Sequence, residues 1–107
     1  MNKVVEINAD NFRAEVLESS VPVLLDFYAP TCPPCQAMAP VVEALATDLG
    51  GAVKVGKVDV RQAEPLAVKY KIQAVPTFIA FRNGQEVGRL RGFQTKAALL
   101  EVLGLRE

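Results

Sequence analysis

Leu25-Asp26-Phe27-Tyr28-Ala29-Pro30-Thr31-Cys32-Pro33-Pro34-Cys35-Gln36 is the stretch on which the reading of this chain turns. It begins inside Val23 to Tyr28, a nearly continuous apolar run of the kind a central strand shows when both its faces are covered. It ends in a helical pattern: from Pro34 to Leu49, Met38, Val41, Val42, Leu45 and Leu49 recur at helical spacing, and Gly50-Gly51 supplies the stop. Pro40 lies inside that pattern and removes the bond its N–H would make to the Gln36 carbonyl, so a kink is expected there. Two cysteines therefore stand where a buried strand hands over to a helix. In open α/β sheets this is the place where ligands and chemistry collect.

Working outward, Val4-Val5-Glu6-Ile7 reads as a short first strand. Asp10 is a candidate cap for a helix carrying Phe12, Val16 and Leu17 and ending near Ser19-Ser20. Val53 to Val60 is the next strand, and Pro65 opens a short helix with Leu66 and Tyr70 facing inward. Thr77 to Phe81 and Glu86 to Arg91 flank Asn83-Gly84, a strong hairpin signal. Thr95 caps a last helix with Leu99, Val102 and Leu103 on its buried stripe. Crossover helices make the first three strands largely parallel, and the hairpin makes the last two antiparallel. The expected class is α/β: a mixed, mostly five-stranded sheet flanked by about four helices in a three-layer α/β/α sandwich.

The 107 residues suit one domain spanning 1–107, and a composition that is 50% hydrophobic and 22% charged excludes wholesale disorder. Lys plus Arg and Asp plus Glu both number 12, so the basic footprint of a nucleic-acid-binding protein is missing, and so is a general attraction to anionic membranes. Val21-Pro22-Val23-Leu24-Leu25 is stopped by Asp26, far short of a membrane span, and Val4-Val5 runs into Glu6 without a signal-peptide core. A cytoplasmic monomer with no nucleic-acid or membrane partner is the expectation. The chain has no His, which excludes Ser-His-Asp and Cys-His catalysis within it, and no Trp.

Cys32 and Cys35 are its only cysteines. Residues so spaced on a helical turn have Cα atoms roughly 5–6 Å apart, within the window of roughly 4.4–6.8 Å that a disulfide needs. The pair can open and close with little backbone movement. At the helix N-terminus, unpaired N–H groups and the helix dipole favour a thiolate at Cys32, while Cys35 lies one turn inside and is expected to be shielded. That asymmetry makes Cys32 the attacking sulfur and Cys35 the resolving one. Pro33 and Pro34 remove two N–H donors beside the Cys32 sulfur and leave the Cys35 N–H as the expected close donor. A zinc site would need about four ligands, of which one chain offers two.

The active-site stretch resembles that of the thioredoxin family, and Lys57-Val58-Asp59, Ala74-Val75-Pro76-Thr77-Phe78, Asn83-Gly84 and Gly92 match further landmarks of it in order. The resemblance covers essentially the whole chain. It implies the thioredoxin fold, reduction of protein disulfides, no cofactor beyond the redox-active Cys32–Cys35 pair, and as partners disulfide-containing proteins and a thioredoxin reductase. It assigns Asp26 as the proton acceptor for Cys35, which fits a carboxylate desolvated within an apolar strand. It places Lys57 near that carboxylate, and it implies a cis peptide between Val75 and Pro76. Val60, Ala74, Val75, Pro76 and Gly92, with Thr31 and Pro33, then form a shallow substrate-binding rim around Cys32. Phe12, Phe27, Phe78 and Phe81 read as core.

Three positions depart from the family pattern. Thr31 stands where Trp is usual, which removes an apolar contact surface for partners such as the NADPH-dependent reductase. Pro33 stands where Gly is usual and stiffens the loop, and Gln36 replaces a residue that is commonly basic. Three other uses of such a chain remain open on the residues alone. It would serve as an oxidase or isomerase on the same fold, as a module in which two chains share a metal or cluster through four thiolates, or as a binding subunit that uses the fold without the thiols.

Overall fold

In the computed structural model, which describes residues 3–105, five strands run over Val5–Glu6 (β1), Val23–Tyr28 (β2), Lys54–Asp59 (β3), Thr77–Arg82 (β4) and Gln85–Arg91 (β5). The three α-helices are Pro33–Leu49 (α1), Glu64–Lys69 (α2) and Lys96–Val102 (α3). The sheet order is β1-β3-β2-β4-β5, with β1, β3 and β2 parallel and β4 antiparallel to both of its neighbours. The apolar run Val23–Tyr28 is thus the central strand, as its lack of alternation required.

Each face of the sheet carries its own core. Leu24, Met38, Val42, Leu45, Val55, Phe78, Leu99 and Leu103 pack on the α1 and α3 side. Ile7, Phe12, Val16, Leu25, Phe27, Val58, Leu66, Ile79 and Phe81 pack on the other, where Tyr70 meets Phe12 and Phe81 with ring centroids 5.6 Å and 5.4 Å apart. Because side chains alternate along a strand, Asp26 shares the face of Leu24 and lies under α1. The same alternation puts Lys57, paired in register with Asp26, on the face of Val53 and Val55.

The caps and turns follow local chemistry. The Cys32 side chain sits at the N-cap of α1, Pro33 and Pro34 occupy the first turn, and the helix passes through Pro40 without ending. The Thr95 hydroxyl accepts from Ala98 N–H at 3.1 Å, so the expected cap of α3 is present. At the hairpin, Asn83 (φ 55°) and Gly84 (φ 77°) take the two left-handed positions that a tight turn between twisted strands demands.

The first helix differs from expectation. Asp10 does not cap it. Instead Asn8 Oδ1 accepts from the backbone of Asp10 and Asn11, and Asn11 Oδ1 accepts from Asn8 N–H at 2.8 Å. The chain then makes a single wide turn over Arg13–Leu17, in which Glu18 N–H reaches the Arg13 carbonyl at 2.9 Å. Lys54 Nζ takes the Glu15 carbonyl at 3.0 Å and its carboxylate at 2.8 Å, claiming an acceptor that a longer helix would use.

Candidate active site

The strand-to-helix joint brings the two sulfurs together as a disulfide, Cα to Cα 5.1 Å. Cys35 N–H donates to Cys32 Sγ at 3.2 Å, the bond expected once two prolines have removed the nearer donors. Cys32 has extended backbone (φ −93°, ψ 111°), so its side chain projects over the open end of α1 where the unpaired N–H groups lie. Both residues are well covered, Cys32 at 9% exposed and Cys35 at 5%. The difference between them therefore lies in position at the helix end more than in exposure.

Beneath the helix, Asp26 is 6% exposed and its Oδ1 has no hydrogen-bond partner. Burial raises its pKa from 3.8 to about 7, and the positive charge of Lys57 only partly opposes this. Asp26, Lys57, Tyr28 and Cys35 line one cavity of about 80 Å³, closed by Val42 and Ala39 of α1. Lys57 is half-exposed, with Nζ 4.0 Å from Glu6 Oε1 and 5.8 Å from the centre of the Tyr28 ring. Burial first, then the negative charges of Glu6, Asp59 and Asp26, push the Tyr28 hydroxyl up to about 12, so it stays protonated at neutral pH. A carboxyl with a pKa near 7 that shares a cavity with Cys35 can both hold and release a proton in the neutral range.

The rim is assembled from the four connections β2–α1, β3–α2, α2–β4 and β5–α3. The Val75–Pro76 peptide is cis, and the Val75 carbonyl oxygen lies 3.7 Å from Cys32 Sγ. Thr77 Oγ1 donates to the Ala74 carbonyl at 2.6 Å, and Gly92 N–H donates to the Pro76 carbonyl at 2.8 Å, which ties the loop after β5 to the proline loop. Gly92 has φ +79°, a conformation that favours glycine. Val60 follows β3, its N–H donating to the Tyr28 carbonyl at 2.9 Å, and Thr31 and Pro33 are exposed beside Cys32. Six of the seven expected rim residues thus stand on loops at this end of the sheet, and Pro33 is the first residue of α1.

Two residues on these loops had no signal in the sequence. Phe93, next to Gly92, is 60% exposed, and Gln94 N–H on its other side is held by Met38 Sδ at 3.3 Å. Arg61 donates through Nη2 to Thr31 Oγ1. Gln36 does not contribute a charge there. Its Nε2 donates to the Pro30 carbonyl at 2.9 Å, bracing the turn that carries Thr31 and Cys32.

The thioredoxin family model matches residues 3–104. The chain belongs to the thioredoxin family. It is 42% identical to thioredoxin C-2 of Corynebacterium nephridii over 96 residues, which covers 90% of this chain and 89% of that one. It is 39% identical to thioredoxin 1 of Nostoc sp. over 103 residues, 96% of each chain. It also matches the bifunctional thioredoxin reductase/thioredoxin of Mycobacterium leprae, 40% identical over 99 residues, covering 92% of this chain and 22% of that longer protein. The mixed five-stranded sheet with flanking helices is the thioredoxin fold, and the cysteine pair makes this chain a thiol–disulfide oxidoreductase working by dithiol–disulfide exchange. A thioredoxin needs no cofactor, because the cysteine pair is itself the redox group. Among the described residues, no helix is long and apolar enough to cross a membrane.

Proposed function

We propose that this thioredoxin acts as a reductant of protein disulfides, with Cys32 as the attacking sulfur and Cys35 as the resolving one. The observation that carries the assignment is the Cys35 N–H bond to Cys32 Sγ at the open end of α1. A backbone donor and the helix terminus both favour negative charge on Cys32. The Cys32 thiolate attacks one substrate sulfur, the substrate S–S bond breaks, and the other sulfur leaves as a thiolate. Cys35 then gives its proton to Asp26 and attacks the Cys32 sulfur, which releases the second substrate sulfur and closes the Cys32–Cys35 disulfide. Two electrons pass to the substrate.

Lys57 assists by making Asp26 easier to ionise than burial alone would allow. Thr31, Pro33, Val60, Ala74, Val75, Pro76 and Gly92 form the docking rim, with the Val75 backbone available to an extended substrate segment as to an added strand. Phe93 adds an exposed ring to that rim where Thr31 offers no indole. Electrons return from a thioredoxin reductase. A relative that joins reductase and thioredoxin in one polypeptide supports such a pairing. We read residues 1–107 as one thioredoxin domain, monomeric and cytoplasmic, the oxidase and isomerase roles being suited instead to oxidising compartments.

Single-cysteine variants test the order of attack. Cys35→Ser is expected to accumulate mixed disulfides through Cys32, and Cys32→Ser to abolish reduction, with mass spectrometry of the adducts identifying the sulfur. Trapping by Cys32→Ser through Cys35, with none by Cys35→Ser, would reverse the two roles.

A further inference from the structure

Arg61 lies in the turn between β3 and α2, two residues beyond the buried Asp59. The Asp59 carboxylate is spent on that turn, its Oδ1 accepting from the backbone N–H groups of Arg61 at 2.9 Å and Gln62 at 3.4 Å. The Arg61 guanidinium instead crosses to the β2–α1 turn and donates to the hydroxyl of Thr31, the residue before Cys32. Among the described residues it makes no ion pair, so its charge is oriented by a neutral partner and not cancelled by a carboxylate. The helix that carries the cysteines has no Lys or Arg, and its charged side chains are Glu43 and Asp48, further along.

We propose that Arg61 is a specificity-determining residue that directs this thioredoxin toward disulfides flanked by carboxylates. The proposal rests on Cys32 as the attacking sulfur. Successive Cα atoms are about 3.8 Å apart, so a guanidinium held on the Thr31 hydroxyl lies within roughly 10 Å of the Cys32 sulfur, about one screening length in 0.1 M salt. A substrate whose disulfide sits on Cys32 brings its neighbouring side chains into that range. Arg has five N–H donors in a planar fork, and one bond to Thr31 leaves the others for a carboxylate. The link to Thr31 limits the freedom lost when that carboxylate pairs. The preferred substrate class is a protein disulfide with Asp or Glu next to the attacked cysteine.

The test compares second-order rates of the reduced full-length protein with three small disulfides: dianionic 5,5′-dithiobis(2-nitrobenzoate), neutral bis(2-hydroxyethyl) disulfide and dicationic cystamine. At low ionic strength, Arg61→Met is expected to lower the dianion rate relative to the neutral one by about fourfold, the product of about twofold for each of the dianion's two charges near 10 Å from the guanidinium in water. It should raise the relative dication rate in the same proportion. Both effects should fade toward 1 M salt, and Arg61→Lys, which keeps the charge, should preserve most of the parent's preference. Unchanged ratios would overturn the proposal. So would three rates that move together, because residue 61 would then act on the thiol pair itself. Reduction of the neutral disulfide by Cys32→Ser would instead strike at the assignment of Cys32, on which the proposal rests.

Discussion

Asp26→Asn separates a proton-handling carboxylate from a packing residue. In the unfolded chain an aspartate ionises near 3.8, whereas in the fold burial holds Asp26 protonated until about pH 7. Ionisation is therefore easier unfolded than folded. Well below pH 3.8 the group is neutral in both states and its ionisation costs the fold nothing. As pH rises from there, the folded state loses about 1.4 kcal/mol per pH unit. The loss levels off above the folded pKa at on the order of 4 kcal/mol. Asn keeps nearly the same shape and, like the neutral acid, leaves a polar group poorly paired under α1. The advantage of Asp26→Asn over the parent should thus be small at pH 4 and grow to several kcal/mol by pH 8. Urea unfolding of the oxidised protein from pH 4 to 9 reads this directly. In reduction of a protein disulfide, the same variant should be slowest relative to the parent near pH 7, by about tenfold or more. The deficit should shrink in alkali, where Cys35 ionises unaided, and also in acid, where Asp26 is protonated in the parent. A stability difference that does not vary with pH, together with a uniform loss of rate, would refute the argument and leave Asp26 as a structural group.

Phe93→Ala should leave stability within about 0.5 kcal/mol because the ring is mostly in water. It should raise KM for a protein disulfide severalfold, while the rate with a small disulfide hardly changes; equal effects on both would remove Phe93 from the docking rim. At Gly56, a Cβ would stand 2.8 Å from Ile7 Cγ1 and 3.0 Å from Leu25 Cδ2. Gly56→Ala should cost about 1–3 kcal/mol in denaturant unfolding, and an unchanged midpoint would mean that β1 and β2 yield to the methyl group without strain.

Much of this protein is written in short stretches of sequence, because those features depend on neighbours along the chain. Val23–Tyr28 lacks alternation and so belongs at the centre of a sheet; Asn83-Gly84 turns a hairpin; Thr95 caps α3. Cys32 and Cys35 fall on one helical turn whatever surrounds them, and two prolines leave the Cys35 N–H as the sulfur's donor. The wide turn at Arg13–Leu17 escaped such reading because its N-terminal bonds come from Asn8 and Asn11, and Lys54, distant in sequence, takes a carbonyl from its middle. The rest of the site belongs to tertiary structure. Asp26 is visible as an odd residue in an apolar strand, but its unpaired Oδ1 and its neutral-range pKa come from α1 closing over it, which Lys57, arriving in register on β3, only partly offsets. Arg61 reaches Thr31, and Gly92 reaches Pro76, only because parallel and antiparallel pairing bring four separate loops to one end of the sheet. Local patterns specify which face of an element is buried; which distant side chains then meet is decided by strand register and loop path, and that is where the charge and the apolar surface of the rim arise.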